Sequence, residues 1–211
     1  MPCTAKKYES ARPEMNASGY RDVDAVLTTR ELGRLFRQAG VDFGKLSDST
    51  FDAPLGISTG AAAIFGATGG VMEAALRTVY EVVTKEELPN INFTEVRGMR
   101  GIKEACVDLN GTPVKVAVAH GLAHARKIMD DVRAGKADYT FIEIMCCPGG
   151  CIGGGGQPYG SGRAAKQARA KAIYKVDAAM PLRKSHQNPA VRQLYKDFLK
   201  TPLSEKAHHL L

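Results

Sequence analysis

Apolar positions along the chain alternate between helical and strand spacing. Leu32, Leu35 and Phe36 recur at helical spacing between Thr28-Thr29 and Gly40. That pattern predicts a capped helix with Glu31 in its first turn. Val71, Ala74, Ala75 and Val79 keep the same spacing to about Lys85, where Pro89-Asn90 closes the segment. Ala25 to Thr29 and Thr94 to Met99 read as short strands. Ile102 to Leu109 and Val114 to Ala119 flank Asn110-Gly111, a hairpin signal. His120-Gly121 leads to a helix from about Leu122 to Ala134, ended by Gly135, and then to an apolar strand from Tyr139 to Met145. This strand–helix–strand order predicts parallel pairing. Its last strand runs into a Gly-rich loop, where open α/β sheets place their ligands.

The flanks are simpler. Residues 1–23 are polar and aperiodic, a loop with one short helix. Residues 163–180 form an Ala-rich basic helix. Asn188-Pro189 starts another, with Val191, Leu194, Tyr195 and Phe198 on one face, and Ser204 caps a last one. The predicted class is α/β, with mixed or parallel sheets flanked by helices and a C-terminal helical tail.

Composition changes this picture little. The chain has 211 residues, 44% of them hydrophobic, which suits one domain or two small ones. No apolar run is long enough to span a membrane. Met1-Pro2-Cys3 is followed by Lys6, Lys7 and Glu9 and not by an apolar leader, so this segment is not a signal peptide; the expectation is a cytoplasmic protein, or a periplasmic one if a signal lies upstream. The net charge of +7 sits in the tail: residues 159–211 hold eleven Lys and Arg against three acidic residues. No aromatic set interleaves with these cations, so the tail reads as a solvated helical face and not as a nucleic-acid surface.

Chemistry concentrates in the cysteines. Five is an odd number, and three of them crowd into Cys146, Cys147 and Cys151. The segment Glu143 to Pro158 contains Cys147-Pro148-Gly149-Gly150-Cys151 followed by Gly153 to Gly156. Thiolates suit soft metals, above all iron–sulfur clusters and zinc. Glycines let backbone N–H groups approach an anionic ligand closely. The plain alternative is a Gly-rich loop with inert buried thiols. A zinc site lacks a second Cys or His pair nearby. Spacing alone leaves open whether Cys146 or Cys147 partners Cys151. A second segment, Met1-Pro2-Cys3 to Glu9, sets a thiol three residues before Lys6. A nearby ammonium stabilises thiolate and donates hydrogen bonds to anionic ligands. The third segment, Ile64 to Ala75, is a Gly-rich turn that opens a helix. It reads as a phosphate-type site or as close backbone packing.

Together these segments resemble the catalytic domain of the iron-only (FeFe) hydrogenases. Met1 to Glu9 is similar to the family's Met-Pro-Cys-x-x-Lys-x-x-Glu motif. Glu143 to Pro158 resembles its Glu-x-Met-x-Cys-x-x-Gly-Cys-x-x-Gly-Gly-Gly-x-Pro motif. Phe65 to Ala75 resembles the turn between them. Residues 1–158 would be the C-terminal part of that domain, and 159–211 resemble the helical region that forms a separate small subunit in some members. The resemblance implies reversible hydrogen oxidation and proton reduction by an oxidoreductase of the ferredoxin-dependent type, at a buried cluster flanked by the sheets and helices. That H-cluster joins a cubane 4Fe–4S cluster to a diiron subcluster carrying CO, cyanide and a bridging dithiolate. It implies Cys3, Cys147 and Cys151 as cubane ligands, with Cys151 bridging to the diiron unit. Lys6 would hydrogen-bond a cyanide. Gly66 would offer its N–H to the diiron pocket and Phe65 would line it. Met1, Pro2 and Met145 would pack around it. Cys106 and Cys146 match no ligand position and read as buried thiols.

The family's Thr-Ser-Cys-Cys-Pro motif does not occur in these 211 residues. By resemblance, it carries the fourth cubane cysteine and the proton-delivering cysteine. The expectation is therefore a C-terminal piece of a longer protein, inactive alone. The alternative is a split enzyme whose other chain supplies the rest. Implied partners are that upstream part, ferredoxin or another electron carrier, and the hydrogenase maturation proteins, with no nucleic acid. A rival reading is a hydrogenase-like iron–sulfur assembly protein without the diiron site. Met145, Gly149, Gly153 to Gly156 and Phe65 to Thr68 keep the hydrogenase pattern where that group departs from it.

Overall fold

The computed structural model describes residues 2–160 and 162–210, so Met1 lies outside the described residues. In chain order the elements are α1 (Ala5–Glu9), α2 (Thr29–Gln38), α3 (Gly60–Ile64), α4 (Gly70–Thr84), β1 (Ile102–Leu109), β2 (Thr112–His120), α5 (Leu122–Arg133), β3 (Phe141–Met145), α6 (Arg163–Ala179), α7 (Pro189–Leu194) and α8 (Glu205–Leu210). They fall into two compact units. One comprises residues 1–58, 154–160 and 187–211, and the other comprises 59–153 and 161–186. No helix among the described residues is long and apolar enough to cross a membrane.

The second unit is built on a three-stranded sheet of order β1-β2-β3. β1 and β2 are antiparallel, and Asn110 and Gly111 turn between them with φ of 55° and 83°. Positive φ at both positions matches the twist of the strands it joins. β3 pairs with β2 in parallel, from Val116 opposite Phe141 to His120 opposite Met145. α5 makes the crossover that parallel pairing demands.

Period-two alternation assigns the two faces of β2. Val116 and Val118 pack with Val107 of β1 and with Met72 and Leu76 of α4. Ala117 and Ala119 pack with Ile128 of α5 on the other side. Covered on both faces, residues Val116 to His120 are all buried. α3 and α6 complete the unit. A Cβ added at Gly60 would stand 2.1 Å from Asp177 Oδ1, so glycine is what lets the two helices approach.

In the first unit, Thr28 and Glu31 form a reciprocal capping box at the start of α2. Lys7 of α1 reaches the same Glu31 at 2.9 Å and donates to the Val26 carbonyl at 2.8 Å. Asn188 caps α7, and its Nδ2 donates to the Ile57 carbonyl at 2.8 Å.

Several sequence expectations are corrected. Ala25–Leu27 is irregular, with no strand beside it to pair with. Thr94–Val96 forms a short 3-10 turn and not a strand, and it delivers Val96 into the core as a loop residue. α3 has no periodic signal, because four of its five residues are Gly or Ala. The buried side of α4 differs from the predicted face: Ala74 is buried, but so are Met72, Leu76, Glu73 and Arg77, while Val79 is exposed. Leu32 and Leu35 of α2 are exposed as well.

Candidate metal centre

In the second unit the candidate site starts where β3 ends. Met145 is the last strand residue, and its carbonyl accepts from Gly121 N–H at 2.8 Å. Cys147 follows, half-buried. Pro148, Gly149 and Gly150 then reverse the chain, and Cys151 opens a short 3-10 turn to Gly153. Gly149 and Gly150 both have φ of 90°, a region L-residues avoid. Gly150 N–H donates to the Cys147 carbonyl at 2.9 Å, and Gly153 N–H donates to Gly150 at 2.9 Å.

The predicted turn at Phe65 to Gly70 lies against this loop. Thr68 N–H donates to the Gly149 carbonyl at 3.0 Å, and Ile152 N–H donates to Gly66 at 2.9 Å. A Cβ at Gly150 would come within 2.6 Å of Thr68 N and 2.8 Å of Met145 Sδ. Sequence reasoning placed Phe65, Gly66, Met145, Cys147 and Cys151 in one site, and the hydrogen bonds and contacts in this unit bring their segments together. Phe65 is half-exposed beside it.

The loop is held from behind by groups that sequence reasoning missed. Glu143 is buried on the α4 face of β3, and its two carboxylate oxygens accept from Gly69 N–H and Met72 N–H, both at 2.7 Å. The chain's own carboxylate therefore caps α4, so the Gly-rich turn is not a phosphate site. A Cβ at Gly70 would lie 1.7 Å from the Ile64 carbonyl oxygen, which selects the close-packing reading. Burial pushes the Glu143 carboxyl up, against the pull of those two N–H groups. Lys103, 1% exposed, donates to the Thr68 carbonyl at 3.0 Å, Thr68 Oγ1 at 3.2 Å and the Gly98 carbonyl at 3.1 Å. Desolvation lowers its ammonium to about 8, although Glu143 pulls the other way. His120, opposite Met145 in the register, is buried and neither ring nitrogen has a hydrogen-bond partner. Its pKa is lowered by burial and then by Lys103.

The first unit carries the other candidates. Pro2 accepts from Gly156 N–H at 2.9 Å, and Cys3 beside it is half-buried. Arg30 donates to the carbonyls of Gly155 and Gln157 at 2.9 and 2.6 Å and stacks on Tyr159 at 4.3 Å. It thereby secures the glycine strap against which Pro2 lies. Lys6 is ion-paired with Glu9, and both line a cleft of about 550 Å³ with Met15, Val26 and Leu32. Met1, the remaining candidate, lies outside the described residues.

Cys106 and Cys146 are exposed, which corrects the expectation of buried thiols. Strand alternation explains Cys106, which points outward with Glu104 and Asp108 while Lys103 and Val107 point in. Cys146 continues the outward register of Ile144. Among the described residues, no group of three or more His, Cys, Asp or Glu side chains is gathered as a ready metal site.

Comparison with known proteins adds to this geometry. A family model described as the iron only hydrogenase large subunit, C-terminal domain, matches residues 1–155. One described as the iron hydrogenase small subunit matches residues 163–211. The chain is 54% identical over 212 residues to the NADP-reducing hydrogenase subunit HndD of Solidesulfovibrio fructosivorans, covering 100% of this chain and 36% of that protein. It is 59% identical over 158 residues to the periplasmic [Fe] hydrogenase large subunit of Nitratidesulfovibrio vulgaris, covering 75% of this chain and 38% of that one. A solved structure of the [FeFe]-hydrogenase HydA1 of Chlamydomonas reinhardtii superposes with a TM-score of 0.79 at 41% identity, covering 100% of this chain and 60% of that one. The chain thus spans little more than a third of the length of these two curated relatives.

Proposed function

The chain belongs to the iron-only hydrogenases, and on that premise we propose that it forms part of a catalytic centre for reversible interconversion of protons, electrons and dihydrogen. The observation that carries the reading is the Cys147–Cys151 turn, in which two thiols are separated by glycines held at φ of 90° and fastened to the Phe65–Gly70 segment. Such a donor set suits the soft iron of a cubane cluster.

In this reading Cys3, Cys147 and Cys151 would hold iron of the cubane cluster, and Cys151 would in addition join it to the diiron subcluster. A fourth thiolate comes from outside these 211 residues. When bound, the centre would supply the redox-active metal site at which protons, electrons and dihydrogen interconvert. The chain's own residues bind and orient it. Lys6, ion-paired with Glu9, would donate a hydrogen bond to a cyanide ligand. The Met145 thioether packs where a polarizable wall suits a soft site. Phe65 and Pro2 exclude water, and Gly66 presents backbone with no side chain in the way. Ferredoxin or another carrier would supply the electrons, and maturation proteins would install the diiron unit.

The test is infrared spectroscopy of the protein matured together with its upstream segment. Bands of metal-bound CO and cyanide are expected, and Cys151→Ser should remove them together with hydrogen evolution. A matured sample with an intact cubane and no such bands would overturn the reading in favour of an iron–sulfur assembly role. Wild-type hydrogen evolution by Cys151→Ser would refute the bridging assignment.

A further inference from the structure

The geometry points to Lys103 as a positioning residue for the Cys147–Cys151 turn, acting through Thr68 from behind the sheet. This inference rests on the reading of those two cysteines as cluster ligands.

A lysine on a strand is ordinarily solvated, yet Lys103 is 1% exposed. In the register it stands opposite Val118, and so on the face of the sheet that α4 covers. Its ammonium has three donors, and three oxygens take them: the Thr68 carbonyl, Thr68 Oγ1 and the Gly98 carbonyl. Two of the three belong to one residue. That residue's own N–H donates to the Gly149 carbonyl, midway between the cysteines. A relay of two links therefore runs from a rigid strand, through Thr68, to the turn that spaces the thiols.

The relay also explains the glycine at position 150. An added Cβ there would stand 2.6 Å from Thr68 N, so the turn and Thr68 are in backbone contact. With the ammonium removed, the buried Thr68 carbonyl and the Gly98 carbonyl lose this donor, and Thr68 loses what fixes its peptide plane. The charged neighbours on this face are Glu143 of β3, which secures the other end of the same segment through Gly69 and Met72, and Arg100 just before β1. The imidazole of His120 lies on the same face of β2. None of these reaches Thr68, so no neighbour substitutes for the lysine.

The experiment has two arms on the 211-residue chain. In the first, without metal, hydrogen exchange is followed at the Thr68 amide and at Val116 and Val118 of β2. Lys103→Met should speed exchange at Thr68 by about tenfold and leave β2 unchanged. Lys103→Gln, which keeps a donor on a shorter stem, should give a smaller increase and guards against loss of folding. Ile128→Ala opens the opposite face of the sheet and controls for general destabilisation, so it should leave Thr68 unchanged. Unchanged exchange at Thr68 in both lysine variants overturns the inference, as does an equal increase in Ile128→Ala.

In the second arm the chain is incubated anaerobically with ferrous iron and sulfide. The cluster absorbance and its loss to a chelator are then followed. Wild type should load iron and Cys151→Ser should not. Lys103→Met should load and then release iron several-fold faster. Equal iron in wild type and Cys151→Ser overturns the ligand reading while the exchange result stands. Equal release rates in wild type and Lys103→Met overturn the link from Lys103 to the turn.

Discussion

Arg77 of α4 and Asp177 of α6 meet as a two-pronged pair, Nη1 to Oδ1 at 2.7 Å and Nη2 to Oδ2 at 2.8 Å, with both side chains wholly buried. Glu73 takes the same guanidinium at 2.7 Å, and Arg183 adds to Asp177 at 2.6 Å. Every charge in this group has a partner of opposite sign, so breaking one contact strands another. Asp177→Ala should cost about 3–5 kcal/mol by leaving Arg77 short of its counter-charge. Replacing both partners, with Arg77→Met and Asp177→Leu together, should cost less than the single change. Urea denaturation of the three variants checks this, and a single-variant loss under about 1 kcal/mol would contradict it.

The same pair sets an acid limit. Burial opposes ionisation of Asp177, but Arg77 and Arg183 outweigh it and hold the carboxyl below its ordinary range. A lowered folded pKa contributes stability that is present above the unfolded pKa and lost as pH falls through the folded one. Acid unfolding below about pH 4 should therefore shift to higher pH in Arg183→Met, as read by circular dichroism.

Lys103 gives a slope of the same sign on the alkaline side. Its folded pKa of about 8 lies below the ordinary 10.5, so the folded chain gives up this proton before the unfolded chain does. Stability should rise with pH between about 8 and 10.5. That rise should vanish in Lys103→Met. A parallel pH profile in wild type and variant would remove Lys103 as its source.

Gly150 and Gly66 should respond differently to a methyl group. At Gly150, φ is 90° and the added carbon would meet Thr68 N at 2.6 Å, so Gly150→Ala should destabilise by more than about 2 kcal/mol. At Gly66 the added carbon would meet Ile152 and Ile173 at an ordinary 3.6 Å, so Gly66→Ala should fold with wild-type thermal stability. Equal melting temperatures for the two variants would show that the turn yields more easily than its contacts imply.

Lys6→Ala tests the first unit. In the enzyme matured with its upstream segment, the change should impair retention of the diiron subcluster and reduce hydrogen evolution. Full activity with normal infrared bands would end the role proposed for Lys6.

Local signals were legible wherever neighbours in sequence decide the outcome. Asn110-Gly111 specified the hairpin because both residues tolerate positive φ. Thr28 and Glu31 specified the start of α2 because the two residues cap each other. Ser204 and Asn188 specified α8 and α7 in the same local way, each bonding an N–H within three residues. The cysteine turn was legible as chemistry, because thiols spaced by glycines have few uses and the whole motif pointed to one family.

What stayed hidden depends on contacts distant in sequence. Thr94 to Met99 has strand-like residues, yet Thr94–Val96 turns as a short 3-10 segment that sends Val96 into the core beside Met72 and Val118. Cys106 and Lys103 lie three apart on β1 and therefore on opposite faces; which of them is buried depends on where α4 packs. Glu73, Arg77, Lys103 and Glu143 have the composition of a solvated surface and lie in the interior. Their burial is tolerated only because partners as far as 106 residues away complete their hydrogen bonds. The sequence by itself thus determined the order of most elements through local periodicity, and its motifs pointed to the family and, by resemblance, to the ligand thiols proposed for its cluster. Only the tertiary structure decided how the cysteine turn is held, because a buried charge is stable only where folding delivers its counterpart.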